Sequence, residues 1–83
     1  MKITGTIKHI EYRNTQGHEK KVVTLAPDGR QRAFIEFRGR RMQDLDAFTE
    51  EDEIEVTVTM EGKTSKSSGI QYNNLVAQGV AGV

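Results

Sequence analysis

The chain has 83 residues, no cysteine, one proline and 35% apolar residues, with twelve Lys/Arg balanced by twelve Asp/Glu. A chain this short buries only about 60% of its unfolded surface, which fits one small domain over residues 1–83 and, without thiols, excludes a disulfide frame, a thiolate metal site and a cysteine nucleophile. No run approaches the ~18 apolar residues of a membrane span, and Met1 to Thr6 lack the apolar stretch of a secretory leader, so the expectation is a soluble, cytoplasmic, β-rich protein.

The first segment, Lys2 to Glu11, alternates, with Ile3, Gly5 and Ile7 on one face and Lys2, Thr4, Thr6 and Lys8 on the other. That period predicts a half-buried strand. Gly5 suggests a bulge or sharp coil, and Ile10 falls out of phase, as in a strand that bends. Tyr12 to Glu19 is polar and reads as a loop. Lys20 to Ala26 resumes the alternation, with Val23 and Leu25 inward and Val22 and Thr24 outward. Pro27-Asp28-Gly29-Arg30 predicts a tight turn, with proline presetting its first position and glycine taking the left-handed one.

The third strand, Gln31 to Arg38, puts Ala33, Ile35 and Phe37 on one face and Arg32, Phe34, Glu36 and Arg38 on the other; Gly39 ends it. Arg40 to Phe48 is the one helical segment, because Met42, Leu45 and Phe48 recur at intervals of three. The acidic turn Thr49 to Asp52 leads into strand four, Glu53 to Met60, with Ile54, Val56, Val58 and Met60 inward. Gly62 to Gly69 reads as a flexible hairpin loop and Ile70 to Val80 as strand five, with Gln78 to Val83 fraying. The order is three strands, a short helix and two strands. It predicts an all-β fold with one short helix, the five-stranded Greek-key OB barrel with its helix between strands three and four, ahead of an SH3-like barrel.

Catalytic and metal chemistry find no support. His9 and His18 lack metal-ligand spacing, Ser65, Ser67 and Ser68 lack a partner base, and Glu50 to Glu53 form a solvated turn. Gly62-Lys63-Thr64 ends like a phosphate loop, but Thr57 stands where its first glycine is required. A non-enzymatic protein without cofactor is therefore expected.

The charge pattern is more informative. Residues 1–41 carry ten Lys/Arg against four Asp/Glu, and residues 42–83 carry two against eight. Such halves imply either a basic working surface or halves that pair with each other inside the fold. In an OB barrel the exposed face of strands two and three, with its flanking loops, forms the ligand groove. Arg32, Phe34, Arg38 and Arg40 would line it, bordered by Tyr12, Arg13, Lys20 and Lys21 at the first loop and by Lys63 and Lys66 in the last hairpin. Cations tracking phosphates and flat side chains stacking on bases are what a single strand requires. Phe34 and Tyr12 are the stacking candidates, with Phe34 under a loop or in a subunit contact as the alternative. Tyr72, Phe37 and Phe48 are assigned to packing. Glu36 opposes phosphate unless a neighbouring arginine pairs with it.

Strand two (Val22-Val23-Thr24-Leu25-Ala26) and the basic, aromatic third strand ending at Gly39 resemble those of bacterial single-stranded-DNA-binding proteins. Ile3-Thr4-Gly5-Thr6-Ile7, Asp52-Glu53-Ile54 and Gly69 to Ala77 resemble a group of short OB proteins similar to them, over nearly the whole chain. The resemblance implies single-stranded DNA, or RNA, bound with weak sequence preference. Three features depart from it. Arg38, Gln71 and Gln78 stand where that group tends to place tryptophan, the connection between strands two and three is short, and no Gly/Pro-rich acidic tail follows. The other expectation is a protein-contact module, a homo-oligomer or accessory subunit joined through open strand edges and Phe34.

Overall fold

β1 (Lys2–Thr15) serves two neighbours in succession, antiparallel to β4 over Lys2–Thr6 and to β2 over Thr6–Thr15. The computed structural model describes all residues, Met1 to Val83. Where β1 passes from one partner to the other, its register with β2 shifts between Ile7 and His9, so Lys8 is an extra residue that bends the strand. This is why Ile10 falls out of phase in the sequence. The bent backbone stays hydrogen-bonded: the Ile7 amide donates to the Asp52 carbonyl (2.9 Å), and the Glu51 amide donates to the Ile7 carbonyl (2.7 Å). Gly5 is not the bulge. A Cβ there would lie 2.6 Å from the Ala26 carbonyl oxygen, so glycine is what lets β1 approach the end of β2.

β2 (His18–Ala26) continues antiparallel to β3 (Ala33–Arg38), and β4 (Glu53–Thr64) is antiparallel to β5 (Gln71–Gly82). β3 meets β5 in parallel through Ile35↔Leu75 and Glu36↔Val76, and the sheet closes in the order β1-β2-β3-β5-β4. The fold is thus mostly β, 64% strand, with five strands in a closed sheet and one short helix. No helix is long and apolar enough to cross a membrane.

The core inside the sheet comprises Ile7, Val23, Leu25, Ile35, Phe37, Leu45, Ile54, Val56, Val58 and Ala77, with Ile3, Ile10 and Phe48 packed against it. Burying side chains of this size stabilises by about 1.5–3 kcal/mol each before the entropy of ordering is counted. The inward residues are those that alternation assigns to the core, apart from Met60, which lies beyond the barrel and is exposed.

The helix is a 3₁₀ helix over Gly39–Ala47, and this accounts for its apolar spacing. At three residues per turn Met42 and Leu45 stack on one line, and Phe48, its C-cap, follows at the same interval. Leu45 is buried in the core. In an α-helix the same residues would drift around the axis by some 60° at each step.

Four expectations are corrected. Tyr12 to Glu19 is not a loop but a hairpin arm paired to Thr15↔His18, turned by Gln16 (φ 53°) and Gly17 (φ 84°). Two successive positive φ angles match the twist of a tight hairpin, and the Asn14 side chain accepts a hydrogen bond from the Gly17 amide (3.1 Å). The β4–β5 hairpin is likewise paired out to Thr64↔Gln71, well past the predicted start of its loop. Gln78 to Val83 does not fray, because Gly79–Gly82 pair with Ile54–Thr57 and the Val83 amide donates to the Glu53 carbonyl. The connection at Pro27 runs on to Arg32 rather than forming a tight turn, and Gly29 does not adopt the left-handed conformation. Asp28 makes the bend instead: its carboxylate accepts from the amides of Arg30 (2.7 Å) and Gln31 (2.8 Å). Those bonds, Gln31 first, hold its pKa below the usual carboxylate range.

Candidate nucleic-acid interface

Alternation about the core residues Val23, Ile35 and Phe37 sends Lys20 and Val22 of β2 and Phe34, Glu36 and Arg38 of β3 to the outer face. Across the strands Val22 pairs with Glu36 and Glu36 with Val76, and all three are buried although they point away from the core. The outer face is concave at this row because the two hairpin arms rise beside it.

Lys20, Glu36, Arg38, Lys63, Tyr72 and Asn74 line a cleft of about 600 Å³, walled on one side by the tip of the β1–β2 arm. Arg13, Val22, Arg32, Phe34, Glu36 and Asn74 contribute to a second cleft of about 580 Å³. Glu36 and Asn74 belong to both, so the two form one groove across β2, β3 and β5. Phe34 is 61% exposed and Tyr72 46% exposed, which gives the groove two unburied aromatic side chains.

Six of the residues singled out from the sequence therefore come together: Arg13, Lys20, Arg32, Phe34, Arg38 and Lys63. Four do not. Tyr12 and Lys21 are cross-strand partners on the opposite face of the arm, in the parity of Ile10 and Val23, and Lys21 lies 4.0 Å from Asp46 of the helix. Tyr12 is exposed there, and partial desolvation, then Glu19, raises its phenol above the ordinary range. Arg40 stands beside Arg41 and Asp44 at the helix start, and Lys66 lies exposed in the β4–β5 turn. Single-residue parity separates Tyr12 from Arg13, and this is invisible while the segment is read as a loop.

Tyr72 and Asn74 are the residues that sequence reasoning missed. Tyr72 is assigned to packing by its aromaticity alone, yet it shares its face with Asn74 and pairs with Lys63, whereas Leu75 takes the other face toward the core. A polar partner on the same face was the available signal.

The electrostatics are tighter than the sequence suggests. Glu36 is 8% exposed and accepts hydrogen bonds from Lys20 Nζ (3.2 Å) and Arg38 Nε (3.0 Å). Burial alone would raise its pKa, but the Arg38 and Lys20 bonds and charges outweigh it, and Glu36 stays below its ordinary value of 4.5. Arg38 also reaches Glu61 (3.2 Å), Lys63 lies 3.8 Å from the same carboxylate, and Arg13 pairs with Glu11. Of the groove's five cations, only Arg32 has no carboxylate partner; its guanidinium donates to the backbone carbonyls of Asp28 and Gln31. Elsewhere Lys2–Glu55, Lys8–Glu51 and Lys21–Asp46 join the basic half of the chain to the acidic half. Much of the charge asymmetry is thus satisfied within the fold.

No family model and no curated protein matches the chain. The groove is accordingly read from its own chemistry.

Proposed function

We propose that the barrel is an OB-fold and that its groove binds single-stranded nucleic acid, DNA in the first instance, without catalysis and with weak sequence preference. The strand order, the helix between β3 and β4 and the parallel β3–β5 closure support the fold assignment. The observation that carries the function is the pairing of two exposed aromatics, Phe34 and Tyr72, with Arg13, Lys20, Arg32, Arg38 and Lys63 along one groove between two arms. Aromatic faces accept any base, and each stack is worth about 1–3 kcal/mol. Phosphates have fewer free partners. Four of the five cations are paired with the carboxylates of Glu11, Glu36 and Glu61, so the salt dependence reflects few phosphate contacts, at roughly −0.7 per contact.

Backbone amide shifts recorded by NMR during titration with oligothymidine test the assignment. The expected perturbations cluster at Lys20, Phe34, Arg38, Tyr72 and Asn74 and leave Arg40 and Tyr12 unmoved. Perturbations centred on the helix face would overturn it.

One observation favours a second reading. Met60, Ile70 and Tyr72, all large and all about half exposed or more, belong to the β4–β5 hairpin and its turn. A protein-contact module would use that arm, as a homo-oligomer or an accessory subunit. Light scattering coupled to size exclusion tests it: a shift from oligomer to monomer on replacing Met60 and Ile70 with threonine supports this reading, and a wild-type monomer removes self-association.

A further inference from the structure

Two of the carboxylates paired with the groove's cations, Glu36 and Glu61, are built differently. Glu36 is buried and held by two cations on β2 and β3. Glu61 is part-exposed on β4 and spans two cations of different strands: one oxygen lies 3.2 Å from Arg38 Nη1 of β3 and 3.8 Å from Lys63 Nζ of β4. The guanidinium and the ammonium thus converge on one small anionic group at the groove wall. A carboxylate so bridged occupies the position that a phosphodiester oxygen would take between the same two donors.

We propose that the Arg38–Lys63 fork is a phosphate subsite of the groove and that Glu61 is its internal competitor, displaced when a strand enters. The inference rests on the nucleic-acid reading of the groove and specifies one of its contacts. Several features support the exchange. Arg38, Lys63 and Glu61 are each between a third and a half exposed, so the Glu61 carboxylate can swing into water without stranding a buried charge. Arg38 keeps Glu36 as a second partner through Nε, so it remains positioned after Glu61 leaves. Arg38 is carried on a barrel strand and Lys63 on the arm paired to Tyr72, whereas the Glu61 carboxylate is held only by part-exposed ion pairs, which are weak. Glu36, by contrast, stays in place as the anchor of Lys20 and Arg38.

Competition of this kind lowers affinity and makes it selective for polyanions that offer a phosphate with a stacked base beside it. Tyr72 supplies that neighbour, since it is the cross-strand partner of Lys63. A lone inorganic anion has no stacking gain with which to displace the carboxylate.

The test is Glu61→Gln, which keeps the shape and removes the charge, compared with wild type and with Glu55→Gln. Glu55 lies on the same strand but pairs with Lys2, away from the groove, and its substitution controls for the change in net charge. Anisotropy of labelled oligothymidine is followed across a salt series. The expected result is about three- to tenfold tighter binding for E61Q at low salt. Its log–log salt slope should stay within one contact, about 0.7, of wild type, because the same phosphate occupies the fork in both complexes. E55Q should match wild type within twofold. Adding Arg38→Ala to E61Q should abolish the gain. Wild-type binding with E61Q no tighter, or with E55Q tightened equally, overturns the inference and leaves the groove reading standing. Absence of binding by all three proteins overturns both.

Discussion

The barrel and its two arms are built from the same strands but held by different forces. Below the pairs Ile10↔Val23 and Val58↔Ala77 the strands close around apolar side chains such as Ile7, Val23, Phe37 and Val56, none with any exposed surface. Beyond Glu11↔Val22 and Met60↔Leu75 the β1–β2 and β4–β5 hairpins continue as two-stranded ribbons that bury no apolar side chain, joined by backbone pairing, tight turns and part-exposed ion pairs. Isolated ribbons of this kind are marginal in water, so the barrel lends them their order. The barrel thus carries the stability, the proposed binding groove and the arms add little to it, and substitutions should divide accordingly.

The sharpest break in that comparison comes from the core. Phe37→Ala removes the largest fully buried side chain and should cost about 3–5 kcal/mol, a large part of the stability of so small a barrel, read as a lowered urea midpoint. In the groove the opposite is expected. Phe34→Ala and Tyr72→Ala should each weaken oligonucleotide binding by about 1–3 kcal/mol while shifting the urea midpoint by less than about 0.5 kcal/mol. A Phe34 variant that unfolds the barrel would place that ring in the structural class instead.

Glu36 lies on the boundary. Glu36→Gln removes the charge shared by Lys20 and Arg38 and should destabilise by about 1–2 kcal/mol, since both cations can rehydrate in part. The pH dependence follows in sign. The folded-state pKa of Glu36 is depressed, so its contribution is present above the unfolded value near 4.5 and is lost as pH falls through the folded value. Wild type should therefore lose more stability than Glu36→Gln between pH 6 and pH 3 in parallel urea titrations. The most local effect belongs to the arm. Gly17→Val forces a branched side chain onto φ 84° and should cost about 1–2 kcal/mol locally. Hydrogen exchange should then accelerate in Tyr12–Lys21 and leave Val56 and Phe37 protected.

The same division explains what could be read from the sequence. Alternation at Val23/Leu25, Ile35/Phe37 and Ile54/Val56/Val58 is dictated by the core, so the strand order and the inward face were legible. The triplet spacing of Met42, Leu45 and Phe48 revealed a helix; its 3₁₀ form, with which that interval agrees, is a finding of the structure. The arms were not legible, because Tyr12 to Glu19 buries nothing and a strand without a buried face leaves no period-two hydrophobic signal. From that one omission came the misplacing of Tyr12, whose parity is defined only once the arm is paired; Lys21 already shared the inward parity of Val23 and Leu25 and was drawn in by its charge. Tyr72 was missed for the converse reason: aromatic character suggested burial where the partner residues Lys63 and Asn74 make a polar face. Arg40 and Lys66 were drawn in by charge, which carries no information about direction.

Fluorescence anisotropy of a labelled oligothymidine of about 30 nucleotides, titrated at low and near-physiological salt with wild type and a Phe34→Ala/Tyr72→Ala variant, tests the central claim most directly. The account predicts salt-sensitive binding by wild type that duplex DNA competes poorly, and loss of that binding in the folded variant. Absence of binding at low salt, or undiminished binding by the variant, would contradict a single-strand groove between the arms.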